Sequence, residues 1–170
     1  NQCMTLQLVK LKHILNLLTL FISFGPKMIK GVVITSLDKI DTPGGMVMHA
    51  MKETSIGYEG FGEAYFSQVH NGAVKAWKRH KEMTLNLVVP IGEIKFVLFD
   101  DRNDLKQFQE IVISRSNYCR LTIPPMVWVG FQGLSDGAST LLNIANIEHN
   151  PKEVDRLKIE KINYNWGISL

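Results

Sequence analysis

The sequence is poor in cysteine, in net charge and in long apolar runs. Cys3 and Cys119 are its two cysteines, with no CxxC or Cys/His spacing for zinc and at most one disulfide between them, so a reduced, cytoplasmic compartment is expected. Lysine plus arginine number 19 against 16 acids, but Lys10, Lys12 and Lys27 stand in a segment without any acid, and from residue 28 onward the charges balance. A balanced body lacks the basic field that bulk nucleic-acid binding requires. With 45% apolar and 21% charged residues, the composition also excludes disorder, collagen and extended coiled coil. There is no internal repeat and no low-complexity tract, and 170 residues suit a single core.

The apolar run Ile14–Phe24 follows Lys10, Lys12 and His13 as in a signal peptide, but Phe24-Gly25-Pro26-Lys27 supplies no small-residue cleavage site. Nor does that run approach the roughly 20 apolar residues of a spanning helix. Residues 1–27 are expected to be an extension ahead of the domain, either sequence upstream of the true start or a weak interfacial anchor. The domain itself is expected over 28–170, with no membrane attachment of its own.

From residue 28 the chain shows short apolar or alternating runs cut by Gly, Pro, Asn and Asp, the pattern of many short strands. The runs are 29–36, 45–50, 62–69, 72–79, 84–90, 93–99, 109–114, 118–123, 127–132 and 139–147. Helix is expected only as short pieces at 103–108 and at 151–158, after Asn150-Pro151. An all-β sandwich or barrel follows, with a jelly roll favoured over α/β because no crossover helix separates the strands. Hairpin turns are expected at Asn71-Gly72, Ile91-Gly92 and Asp136-Gly137.

The segment Gly72–Glu82 is the most informative, because Lys75, Lys78, Arg79, His80 and Lys81 crowd one strand with positive charge. Alternation in an extended chain sends Val74, Ala76, Lys78 and His80 to one face and Lys75, Trp77 and Arg79 to the other. The small apolar partners of Lys78 and His80 point to an inward face, where an ammonium and an imidazole would receive an anionic ligand through charge-assisted hydrogen bonds. The competing reading is a solvated edge, or pairing with Glu82, Glu63 and Asp100.

The sequence resembles the cupins related to dTDP-4-dehydrorhamnose 3,5-epimerase and the sugar-nucleotide ketoisomerases. The resemblance is carried by Glu59–Ser67, Gly72–Thr84, Val89–Arg102, Asn117-Tyr118, Ile123–Phe131, His149–Glu153 and Tyr164-Asn165-Trp166, in that order. It implies a cupin jelly roll and an isomerase acting on a nucleotide-linked 4-keto-6-deoxy sugar in surface-polysaccharide biosynthesis, without a cofactor, as a homodimer. The chain departs from the epimerase pattern at three positions. Lys78 stands where the family's basic His is expected, Leu142 where its general-acid Tyr is expected, and Val129 where a further His belongs. A metal-binding cupin needs three convergent ligands. Lys78-x-His80, Asn86 and Val129 provide one, and no bound metal is expected.

Within that frame His80 and Lys78 are the candidate catalytic residues, His80 because imidazole alone titrates near neutrality. Lys78 serves either as enolate partner or, with its pKa pulled down, as base. Lys75 is the candidate for holding substrate or diphosphate charge. Asn86, Tyr118 and Trp128 are candidate sugar or base contacts, each with a core role as the alternative. Tyr164 and Trp166 either close the barrel mouth or form a dimer contact. A non-catalytic sugar-nucleotide-binding cupin is the competing function, and a metal-dependent oxygenase is disfavoured.

Overall fold

The computed structural model describes residues 28–104 and 106–167. The expected extension, residues 1–27, lies outside the described residues. Strands β1 (Val33–Ser36), β2 (Lys39–Thr42), β3 (Gly45–Met48), β4 (Glu63–His70), β5 (Val74–His80) and β6 (Leu85–Ile91) come first. They are followed by β7 (Glu93–Asp100), β8 (Gln107–Ser114), β9 (Cys119–Ile123), β10 (Trp128–Gly133), β11 (Ala138–Ala145) and β12 (Val154–Arg156).

Two five-stranded antiparallel sheets face each other, in the orders β1-β9-β6-β11-β4 and β12-β5-β10-β7-β8, and β2-β3 forms a separate hairpin. This is the expected all-β jelly roll. The three expected hairpin turns are corners instead. Asn71-Gly72 carries the chain from β4 to β5, Ile91-Gly92 from β6 to β7, and Asp136-Gly137 from β10 to β11, each time between sheets. Turn residues fix a change of direction but not the sheet that the next strand joins. At Gly92, with φ +79°, an added Cβ would come 2.4 Å from Ser139 Oγ, so the corner also needs the missing side chain.

Alternation builds two apolar layers. Between the sheets lie Leu85, Leu87 and Val89 of β6, Ile94, Phe96 and Leu98 of β7, and Cys119, Leu121 and Ile123 of β9. On the outer face of the second sheet a smaller cluster joins Trp77, Val97, Phe99 and Trp128 to Ile162 and Trp166 of the C-terminal segment. Burying each such side chain contributes roughly 1.5–3 kcal/mol against the ordering cost. Trp166 stacks at 5.3 Å between ring centroids on Trp77, whose Nε1 donates to Ile159 O. Tyr164 and Trp166 thus cover the outside of the barrel wall rather than its mouth.

The helix expected at 151–158 is a single 3-10 turn, Pro151–Glu153, capped by the Asn150 side chain, after which β12 pairs with β5. The cap and proline start a helix correctly, but the edge of β5 offers the next residues a ladder of hydrogen bonds. The stretch 103–108 is not helical among its described residues, and β8 begins at Gln107.

Candidate functional site

The site grows from an irregularity in β5. Lys78 lies opposite Val129 and Lys75 opposite Phe131, so three steps along β5 match two along β10. Such a bulge resets the alternation. Lys75 joins the inward face of Lys78 and His80, while Val74 packs with the outer cluster around Trp77. The even alternation expected over 72–80 had placed Val74 and Ala76 inside and Lys75 outside; the bulge reverses all three. Gly130 sits opposite it, where a Cβ would come 2.7 Å from that of Ala76.

These residues open onto a cavity of about 480 Å³ between the sheets. The second sheet contributes Lys75, Lys78, His80, Val129 and Phe131, with Arg156 from β12. The facing sheet contributes Tyr65 and Ser67 of β4, Leu85 and Leu87 of β6, and Leu141 and Asn143 of β11. Exposed Lys75 and Arg156 mark the outer end, and His80, 4% exposed, the inner one. Lys75 Nζ donates to Gln68 O at 2.6 Å and lies 6.0 Å from the Phe131 ring centroid.

Glu153 supports His80 from the 3-10 turn. Its Oε2 lies 2.9 Å from His80 Nδ1, while Oε1 accepts from Met83 N at 2.9 Å and Glu82 N at 3.3 Å. Burial opposes a charge on Glu153, but the Met83 N–H, His80 and the Glu82 N–H together hold its carboxyl below the usual range. Burial pulls His80 below its ordinary value of 6.5, outweighing the raising effect of Glu153, with Lys78 and His149 adding to the depression. The imidazole is therefore neutral near pH 7. Nδ1–H donates to the carboxylate, and Nε2, buried without a partner among the described residues, keeps its lone pair. Lys78 is also lowered, first by burial and then by Arg156, against the pull of Glu153 and Glu63.

Three of the expected contacts lie elsewhere. Asn86 faces the outside of the first sheet, where Nδ2 donates to Gly57 O and Oδ1 accepts from Thr122 Oγ1. Its neighbours Leu85 and Leu87 take the inward positions, since successive strand residues face opposite sides. Tyr118 donates its hydroxyl to His49 O, tying down the loop before β4. Trp128 belongs to the outer cluster, donating Nε1 to Asp101 Oδ2 beneath the Arg79 guanidinium, 4.4 Å from the ring centroid. Arg79 itself pairs with Asp155 at 2.8 Å and Asp101 at 3.4 Å.

Sequence reasoning missed Glu153, Arg156, Tyr65 and Asn143. Tyr65 and Asn143 were within reach, because alternation along 63–70 and 138–145 groups Tyr65 with Ser67 and Leu141 with Asn143. Leu142, which the resemblance matched to an acid, faces an outer cleft with Phe61, Ala64 and Ile144. One residue along a strand changes the face, and Asn143 is the inward neighbour. Glu153 and Arg156 were hidden by the helix reading of 151–158. No group of three or more His, Cys, Asp or Glu side chains converges among the described residues to hold a metal.

Comparison with known proteins places this geometry. The spore coat polysaccharide biosynthesis protein SpsL of Bacillus subtilis (strain 168) is 28% identical over 147 residues, 82% of this chain and 97% of that protein. The probable low-salt glycan biosynthesis epimerase Agl13 of Haloferax volcanii is 32% identical over 100 residues, 56% of this chain and 64% of that protein. A solved dTDP sugar isomerase from Desulfovibrio desulfuricans G20 is 35% identical, covers 83% of this chain and 94% of its own, and superposes with a TM-score of 0.79. The family model described as FdtA: WxcM-like, C-terminal, matches residues 30–160, a span that contains every cavity-lining side chain from Tyr65 to Leu157, and this chain belongs to that family.

Proposed function

We propose that this protein is a sugar-nucleotide epimerase or isomerase that abstracts a proton next to the keto group of an activated 4-keto-6-deoxy sugar, in surface-polysaccharide sugar biosynthesis. The observation that carries the reading is His80 on the cavity wall, its Nδ1 held by Glu153 and its Nε2 buried without a partner among the described residues. The C–H bond beside the carbonyl breaks, its proton goes to Nε2, and its electron pair forms the carbon–carbon double bond of an enolate. Lys78 stabilises the charge that develops on oxygen, in a cavity whose other walls are largely apolar. Such acid–base catalysis contributes about 10²–10⁴-fold.

Tyr65 lines the same cavity from the opposite sheet and is the candidate to return a proton to the other side of the sugar. Lys75 and Arg156, exposed at the outer end, suit the diphosphate. The name of the dTDP sugar isomerase and that of the probable glycan biosynthesis epimerase support the substrate class and reaction type. SpsL, by its name, supports the polysaccharide context.

Residues 28–170 form the catalytic unit in this reading, with 1–27 ahead of it. A homodimer is part of the reading too: β4 is the terminal strand of its sheet and carries Phe66, 68% exposed, and Phe61 in the segment just before it is 66% exposed. The cytoplasmic assignment is supported by Cys119, buried and without a disulfide among the described residues. No helix among the described residues is long and apolar enough to cross a membrane.

A non-catalytic sugar-nucleotide-binding role is the second reading, favoured by Lys78 and Leu142 standing where the family resemblance expects His and Tyr. Incubation with dTDP-4-keto-6-deoxyglucose in deuterated water separates them. The enzyme introduces deuterium at C3 or C5. A binder holds the nucleotide sugar and introduces none.

A further inference from the structure

Asn143 is 1% exposed, lines the cavity, and leaves both Nδ2 and Oδ1 without a hydrogen-bond partner among the described residues. It lies mid-strand in β11, directly across from Tyr65 on one side and Leu87 on the other. Leu141, two residues before it, shares its face, so the amide is set in an otherwise apolar stretch of wall. No described residue uses it. A buried amide left unmatched costs stability, whereas an apolar residue of similar shape would not.

An amide offers a donor and an acceptor side by side. Whichever way the group is turned, a ligand that satisfies both must present an acceptor and a donor on neighbouring atoms. A carbonyl flanked by a hydroxyl meets that demand: the keto oxygen accepts from Nδ2–H and the adjacent hydroxyl donates to Oδ1. Resting on the function proposed above, we infer that Asn143 is the specificity-determining contact that selects a sugar carrying a free hydroxyl on the carbon next to its ketone. In a 4-keto-6-deoxy sugar that hydroxyl is the one on C3. A site built around a buried polar pair rejects an analogue lacking the matching group far more strongly than an apolar pocket distinguishes a methylene.

The test compares dTDP-4-keto-6-deoxyglucose with its 3-deoxy counterpart, on the full chain and on Asn143→Leu and Asn143→Asp. Binding is measured by calorimetry and C5 deuterium incorporation by NMR. The wild-type protein binds the 3-hydroxy sugar at least about tenfold more tightly than the 3-deoxy sugar. Asn143→Leu removes that preference, binds dTDP alone as the wild type does, and melts no lower than the wild type. Asn143→Asp keeps the shape and the acceptor but loses the donor, and weakens binding of both keto sugars. Wild-type protein that binds the two sugars equally, or Asn143→Leu that keeps the full preference, overturns the inference and leaves the proposed function standing. Wild-type protein that binds neither sugar nor dTDP overturns the function, and the inference with it.

Discussion

The Glu153 carboxylate sits 2.9 Å from His80 Nδ1, joining two residues 73 apart in sequence and each about 4% exposed at the side chain. This contact fixes which imidazole nitrogen carries the proton, and so leaves the lone pair on Nε2.

Replacing Glu153 by Gln tests that relationship. The amide still accepts from the Met83 N–H, but its NH2 group faces Nδ1 and favours the opposite tautomer, with the proton on Nε2. Proton abstraction from the keto sugar falls by about 10²–10⁴-fold. Calorimetric affinity for dTDP stays at the wild-type value, which separates a tautomer effect from a damaged pocket.

The pH profile follows from the same group. His80 must be neutral to act as base, and burial lowers it while Lys78 and His149 add to that effect against Glu153. The acid limb of kcat/KM for deuterium exchange therefore has its midpoint below 6.5. Stability carries the same sign. Between its folded value and 6.5 the unfolded chain holds more protons on His80 than the folded chain does, so stability rises with pH across that window. Glu153, also depressed, contributes stability that is complete above its ordinary 4.5 and is lost as pH falls through its folded value. Urea unfolding of His80→Asn between pH 4 and 7 loses the upper part of this slope and keeps the lower part.

Asn86 serves as the structural control. Its amide clasps Gly57 O and the Thr122 hydroxyl, so Asn86→Ala strands a buried hydroxyl and a partly buried carbonyl and destabilises by about 1–3 kcal/mol in urea unfolding. The exchange rate of the folded variant equals that of the wild type, because the side chain lies outside the cavity.

The outer cations act on affinity. Lys75→Met and Arg156→Met each weaken dTDP-sugar binding by about three- to tenfold, a modest loss because both groups are exposed to solvent screening. KM rises while kcat changes little, and the dependence of KM on salt concentration becomes shallower in both variants.

Much of the architecture was legible in the sequence because short apolar runs and turn residues record strand number directly. Each run expected to be a strand overlaps one, from β1 to β11 with β2 as the exception. Which sheet a strand joins was not legible, since Gly72, Gly92 and Gly137 turn the chain equally well for a hairpin or a corner. Lys78 and His80 line the cavity on the expected face because their parity survives, whereas Lys75 changes face through a bulge that only the ladder with β10 shows. Asn86, Tyr118 and Trp128 failed for a common reason: a polar or aromatic residue on a strand reads the same whether it lines a cavity or anchors a loop. Glu153 needed tertiary information, because it reaches His80 only once β12 has paired with β5.

The most direct test of the central claim, that neutral His80 removes the proton, is deuterium incorporation into dTDP-4-keto-6-deoxyglucose by His80→Asn and Lys78→Met, with dTDP affinity measured alongside. Asparagine at 80 abolishes incorporation while dTDP still binds, and methionine at 78 only slows it. Incorporation that survives His80→Asn and vanishes with Lys78→Met contradicts the account and makes Lys78 the base.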